Sequence, residues 1–241
     1  MMATSDLSRS SHLPLPTTPP PRINLFTMFR LGLFQMGLGL LSLLTLGILN
    51  QVLISELQIP AILASGAIAM YQFVAPARVW IGQISDSKPI RGYHRTGYVW
   101  LGMALQAICL FVAIQVVWQL GASAAAGWTA VTWGWLALLA GMFALYGLCI
   151  SVSSTPFAAL LVDVSDEDNR SQLVGIVWAM LMVGIVAGAI VGQVLLENIS
   201  AEELQAAITR LFILFPITVV GLGMLATVGI EKKYSRYASP S

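Results

Sequence analysis

The sequence predicts an all-α membrane protein with six transmembrane helices. Three observations carry that prediction. Hydrophobic residues make up 57% of the 241-residue chain and charged residues only 10%, where a soluble domain carries roughly 25% charge. Six apolar runs follow one another, each about 20 residues long and so able to cross about 30 Å of hydrocarbon. Almost all Lys and Arg fall in alternate connections, on one side. A chain with so little charge cannot cover a water-facing surface, which excludes a soluble enzyme, a nucleic-acid binder and a disordered protein. The net charge of +1 gives no overall bias toward polyanions.

Residues 1–22 differ from the rest. Pro14, Pro16, Pro19, Pro20 and Pro21 stand among Ser10, Ser11, Thr17 and Thr18, and such proline density forbids a helix. A disordered tail is expected there, and not a signal peptide. The spans are expected near 33–54, 61–84, 98–120, 131–156, 173–196 and 211–230. In lipid every backbone amide must bond within its own segment, so unbroken apolar runs are helices and not alternating barrel strands. Ser200 and Glu203 have capping-box spacing and start the sixth helix near 201. Ser165 with Asp168 is expected to start the fifth. Pro156 and Pro216 are expected to kink the fourth and sixth helices. The six-helix domain is read as 23–232, with a stub at 233–241. Cys109 and Cys149 both sit in apolar runs; neither a disulfide framework nor a zinc site is suggested.

Orientation follows from the cations. Arg9, Arg22, Arg30, Lys88, Arg91, Arg95, Arg170, Lys232, Lys233 and Arg236 lie on one side, and Arg210 alone on the other. Both termini are therefore expected in the cytoplasm. Arg78 is the one charge within a span, free to snorkel or pair.

Two loops on the inner side carry the strongest local signal. Gly82 and Asp86 stand one helical turn apart, and Arg91, Gly92 and Arg95 follow through a tight connection at Pro89. Two spans later comes Asp163-Val-Ser-Asp166-Glu-Asp-Asn-Arg170. Carboxylates beside arginines at a membrane boundary can lock helices by charge-assisted hydrogen bonds. The expectation is that Asp86→Asn and Arg91→Ala impair function more than Lys88→Ala. The alternative is a plain topogenic loop.

The first loop resembles the signature between the second and third helices of the major facilitator superfamily, and the second its loop between helices four and five. Phe29 through Gly37, Tyr71 through Arg78 and Gly82 through Thr96 together are similar to the PucC-type, or bacteriochlorophyll delivery, family. The resemblance covers about residues 23–236, and the Asp86–Arg95 segment is its most specific part. It implies a major-facilitator-type bundle of which this chain is the N-terminal half, since that family has twelve spans. It implies a role in assembling light-harvesting or photosystem chlorophyll–protein complexes, in a thylakoid or bacterial photosynthetic membrane. The partners implied are the lipid bilayer, antenna or photosystem subunits, chlorophyll-supplying enzymes, and a C-terminal six-helix half or a second copy. The alternatives are a solute transporter working by alternating access, and a truncated, non-functional half.

Polar residues within the spans are the remaining candidates. Gly32, Gln35, Gly39, Ser42 and Asn50 form one stripe at 100° per residue, expected to face the bundle interior as packing or cavity lining. Gln35, Asn50, Gln72 and Arg78 are candidate cavity or pigment contacts. Gly184, Gly188 and Gly192 form a ridge suited to close helix contact. Chlorophyll is a candidate ligand, held transiently. Its magnesium takes an axial ligand, yet the two histidines, His12 and His94, lie outside the spans. No catalytic constellation and no metal cluster is expected, and no mid-membrane carboxylate provides a proton relay.

Overall fold

The computed structural model describes residues 23–196 and 201–234. The tail expected at 1–22, Ser200 of the expected capping box and the stub beyond Tyr234 lie outside them. Among the described residues the chain is helical, with six helices long and apolar enough to cross a membrane. This is an integral membrane protein. Its elements are α1 (Leu25–Ser42), continued by π-helical turns at Leu43–Leu49 and Val52–Glu56, then α2 (Ala61–Phe73), α3 (Ala77–Ser87), α4 (Thr96–Ala126), α5 (Ala130–Val164), α6 (Glu167–Leu196), α7 (Ala201–Thr227) and α8 (Ile230–Tyr234). The helices outrun the apolar runs at most ends because their polar turns extend past the hydrocarbon.

Local chemistry sets several boundaries. The Asn24 side chain accepts from the Thr27 N–H at 2.9 Å and starts α1. Thr129 and Thr132 form a reciprocal capping box at the start of α5. The start of α6 departs from expectation. Asn169 Oδ1 accepts from the Asp166 N–H at 2.9 Å, and Ser165 Oγ receives Arg170 Nε at 3.2 Å. Helices α5 and α7 run on through Pro156 and Pro216.

The second span is not one helix, contrary to the unbroken run read at 61–84. It breaks at Val74–Pro76, where the amides of Ala75, Ala77 and Arg78 bond three residues back to Gln72, Val74 and Ala75. Pro76 has no N–H, and its ring would clash with the carbonyl four residues earlier. The first span carries a second departure. Its π-helical turns place more residues in each turn, so the 100° register fails beyond Ser42. Gly32 and Gly39 still share a face, against Met180 and against Leu181 and Ile185 of α6. Asn50 leaves that face and lies beside Ser65, Ile68 and Tyr71 of α2.

In lipid, burial of apolar surface drives helix association little, so close packing and polar pairs must hold the bundle. Helix α4 lies along α5, α1 along α6 and α7, and α2 and α3 along α5. The core takes Leu31, Phe34 and Leu44 from the first span, Val99, Leu110 and Ile114 from α4, Leu139, Phe143 and Phe157 from α5, and Phe212 from α7. Phe34 and Phe157 stack at 4.0 Å between ring centres. The ridge on α6 makes the close approach expected of it. A Cβ on Gly184 would run into the Met36 carbonyl of α1, and one on Gly39 into the Leu181 carbonyl. Cys109 and Cys149 face each other across α4 and α5 as free thiols, with Sγ atoms 3.8 Å apart.

Candidate functional site

The ends of α3, α5 and α7 and the starts of α1, α4 and α6 gather at one end of the bundle, called here the charged end. The connection from α3 to α4 makes a two-residue reversal. Ile90 N–H donates to Tyr93 O at 2.8 Å and Tyr93 N–H to Ile90 O at 3.0 Å. Between them Arg91 has φ 52° and Gly92 φ 81°, the pair of positive angles that a type I′ turn requires. The reversal brings the chain back over α3, and this delivers Arg95 to Asp86.

Arg95 is the hub of the site. It is buried, and its NH1 lies 2.6 Å from Asp86 Oδ1 and 3.0 Å from Ser85 Oγ on α3. Its Nε lies 3.1 Å from Asp163 Oδ2 on α5. One guanidinium thus spans the ends of α3 and α5 and the start of α4. The two carboxylates differ in setting, with side chains 55% exposed for Asp86 and 6% for Asp163. Burial works against the Arg95 charge, but the hydrogen bond and attraction to Asp163, and then those to Asp86, outweigh it and raise its pKa above the ordinary arginine value. Stabilisation from a raised group is complete below its unfolded pKa and fades only above its folded one. The hub therefore keeps its charge across the working range of pH.

A third carboxylate completes the cluster from the far end of the chain. Glu231 of α8 is buried and accepts the backbone amides of His94 at 2.5 Å, Arg95 at 3.1 Å and Thr96 at 2.7 Å. It caps α4 from outside, placing negative charge at the positive end of that helix. Nearby, Trp100 Nε1 donates to Thr227 Oγ1 at 2.8 Å, and the Lys232 ammonium sits 4.7 Å from the centre of the Tyr93 ring. Arg30 of α1 donates through Nε to the Leu225 carbonyl at 2.6 Å and through NH2 to that of Val228. The result is a latch across five of the six spans.

The residues expected from sequence are only partly brought together. Asp86, Arg95 and Asp163 meet, and Gly82 lies beside them, where an added Cβ would stand 3.6 Å from Thr155 of α5. Arg91 does not join, a correction to the expected lock. It is exposed in the turn and makes no ion pair among the described residues. Arg170 is also corrected. It does not pair with Asp163 but folds back on Ser165, so two expected loop clusters become one, joined through Arg95. Gln35 and Arg78 line a cavity of about 460 Å³ between α1, α3, α5 and α6. Asn50 and Gln72 line another of about 210 Å³ between the first two spans. There Gln72 Nε2 donates to the Tyr71 hydroxyl at 2.7 Å, while Asn50 Oδ1 is buried without a partner among the described residues.

Comparison with known proteins places this helical bundle. Residues 48–240 match the family model described as PUCC protein. The chain belongs to the PUCC family. The Rhodobacter capsulatus protein PucC is 32% identical over 209 residues, 84% of this chain and 44% of the relative. Protein PucC of Rhodovulum sulfidophilum is 31% identical over 191 residues, 77% of this chain and 41% of the relative. A Rhodobacter capsulatus protein named bacteriochlorophyll synthase 44.5 kDa chain is 33% identical over 211 residues, 86% of this chain and 44% of the relative. The chain spans less than half the length of these curated relatives. No solved structure matches. Apart from Arg30, the latch lies inside the stretch matched to PUCC, while residues 29–37 precede it.

Whether this PUCC-family chain builds a pigment site by itself can be tested on its donors. His94, the one histidine among the described residues, lies in the connection to α4 at the charged end. Asn50 Oδ1 is a buried oxygen suited to a hard cation such as magnesium. Its cavity of about 210 Å³ falls below the roughly 300–1,000 Å³ typical for drug-sized ligands. Among the described residues, neither His94 nor the Asn50 cavity fits an enclosed chlorophyll. Sequence reasoning missed Ser85, Arg30 and Glu231. The signal for Glu231 was present: it is the single acid beside Lys232 and Lys233, and nothing about topology asks for it.

Proposed function

We propose that this PUCC-family protein is a membrane assembly factor for light-harvesting or photosystem chlorophyll–protein complexes, handling (bacterio)chlorophyll or its apoproteins without covalent catalysis. The single observation that carries the reading is the PUCC match over residues 48–240. The name of the bacteriochlorophyll synthase 44.5 kDa relative supports it. The protein works in a photosynthetic membrane, thylakoid or bacterial inner membrane, with both termini in the cytoplasm; the distribution of Lys and Arg supports that orientation. The latch then lies on the cytoplasmic face and holds the helices in one arrangement, as part of a major-facilitator-type bundle. Pigment contact is transient and shared; among the described residues the one histidine lies at the charged end and the Asn50 cavity is small, which supports that reading. A C-terminal six-helix half or a second copy supplies the other wall, and antenna or photosystem subunits, with pigment-supplying enzymes, are the partners.

The test is purification of the tagged protein in mild detergent, followed by its absorption spectrum and identification of what co-purifies. Chlorophyll bands together with antenna or photosystem subunits are expected. Absence of both, combined with solute uptake that collapses on adding an uncoupler, would replace this reading with alternating-access transport.

A further inference from the structure

Arg78 is the one charged residue that the sequence places within a span. It stands on α3 eight residues before Asp86, about 12 Å further from the charged end at a rise of about 1.5 Å per residue. That distance exceeds the reach of an arginine stem, so the guanidinium cannot snorkel back to that end. Arginine cannot shed its proton at working pH, and an uncompensated cation inside a membrane is costly. Yet among the described residues nothing bonds it or pairs with it. Instead its side chain lines the cavity of about 460 Å³ shared with Gln35 of α1, Ser154, Thr155 and Phe157 of α5, and Trp178 of α6. Three neutral hydrogen-bonding side chains and two aromatic rings thus share the cavity lining with one exposed cation that pairs with none of the described residues. The cavity opens sideways, where Ala158 and Trp178 are exposed.

We infer that this cleft binds an amphiphilic oxyanion, a molecule with a carboxylate or phosphate head on Arg78 and an apolar body along Phe157 and Trp178. The guanidinium fork matches such a head with two parallel hydrogen bonds. Gln35, Ser154 and Thr155 supply further donors. A lateral opening admits an apolar tail that stays in the bilayer. The volume lies within the range of ordinary ligand sites. The oxyanion comes either from an anionic phospholipid or from a carboxylate-bearing ligand, and neither source depends on the assembly role proposed above.

Trp178 makes the cleft readable. The full chain, purified and stripped of lipid in nonionic detergent, is titrated with phosphatidic acid, a free fatty acid or phosphatidylcholine, each with brominated acyl chains. The readout is the fluorescence quenched in the wild type but not in Trp178→Phe. Saturable quenching by phosphatidic acid assigns the phosphate head, and by the fatty acid the carboxylate head; either result supports the cleft. Arg78→Gln should then weaken binding roughly tenfold or more, and Arg78→Lys by less. Ala158→Leu keeps the charge, fills an exposed side of the cleft and should also weaken binding; it stands as the second variant should Arg78→Gln fail to fold, which size-exclusion chromatography reports. Quenching by phosphatidylcholine as strong as by the acids, or unchanged affinity in Arg78→Gln or Ala158→Leu, overturns the inference.

Discussion

Arg95 matters because it is buried while Asp86, one of its two acidic partners, is not. Removing a guanidinium from beside a buried carboxylate leaves that charge uncompensated, which costs roughly 3–5 kcal/mol. Arg95→Ala is therefore expected to lower the melting temperature in detergent sharply, and Asp163→Asn to lower it more than Asp86→Asn, which faces solvent and should cost about 0–1 kcal/mol. Equal effects of the two aspartate variants would mean that burial does not rank them. Arg91 behaves oppositely. It occupies a left-handed backbone position that a non-glycine residue tolerates poorly, and it holds no partner among the described residues. Arg91→Asn should leave stability within about 0.5 kcal/mol, since asparagine accepts that conformation. Gly92→Ala should cost roughly 1–2 kcal/mol, since its φ of 81° suits only glycine without strain. Thermal melts of the two variants separate a turn residue from a lock residue. Sequence spacing pointed to the right loop but put Arg91 ahead of Arg95 as the partner of Asp86. Only the reversal at Arg91–Gly92 decides between them, and a two-residue turn is not legible in a stretch without alternating strands around it.

At the scale of elements, α8 acts through one side chain. Its Glu231 satisfies three amides at the start of α4 that no residue of α4 itself caps. Glu231→Ala would leave those donors buried and unpaired, at a cost of roughly 1–3 kcal/mol. Faster amide hydrogen exchange is expected across 94–98, while the middle of α4 keeps its protection; unchanged exchange there would remove the cap from the account. The helix count and the order of the spans were readable because lipid allows only helices for unbroken apolar runs of this length. The break at Pro76 and the π-helical turns of the first span were not. A proline inside a membrane helix is often absorbed without a break, as at Pro156 and Pro216. A change of helical period leaves no mark in composition, and it is what moved Asn50 off the expected stripe.

Over the whole molecule, cohesion is concentrated in two places. The latch closes the charged end, and close packing between α1 and α6 holds one side of the bundle. Gly184→Leu should separate α1 from α6, because its side chain would occupy the space of the Met36 carbonyl. Loss of the monodisperse size-exclusion peak is expected, whereas Gly175→Leu, where an added Cβ meets nothing within 4 Å, should behave as the wild type. The second and fifth spans are the least enclosed, with 17% of their central residues buried against 44–50% in the other four. Their free apolar faces are where lipid or the proposed second half or second copy would lie. The scarcity of charge in the sequence foretold the membrane, and the placement of nearly every Lys and Arg on one side foretold the charged end. The sequence made Arg78 a candidate cavity contact without naming the cavity, because a single cation within a span fits snorkelling and binding equally until its neighbours are known. The central claim, a role in assembling pigment–protein complexes, is tested most directly by deleting the gene in its host and measuring the absorption bands of those complexes per cell. The account predicts a loss of assembled complexes that the wild-type gene restores and Arg95→Ala does not. Unchanged bands in the deletion strain would contradict it.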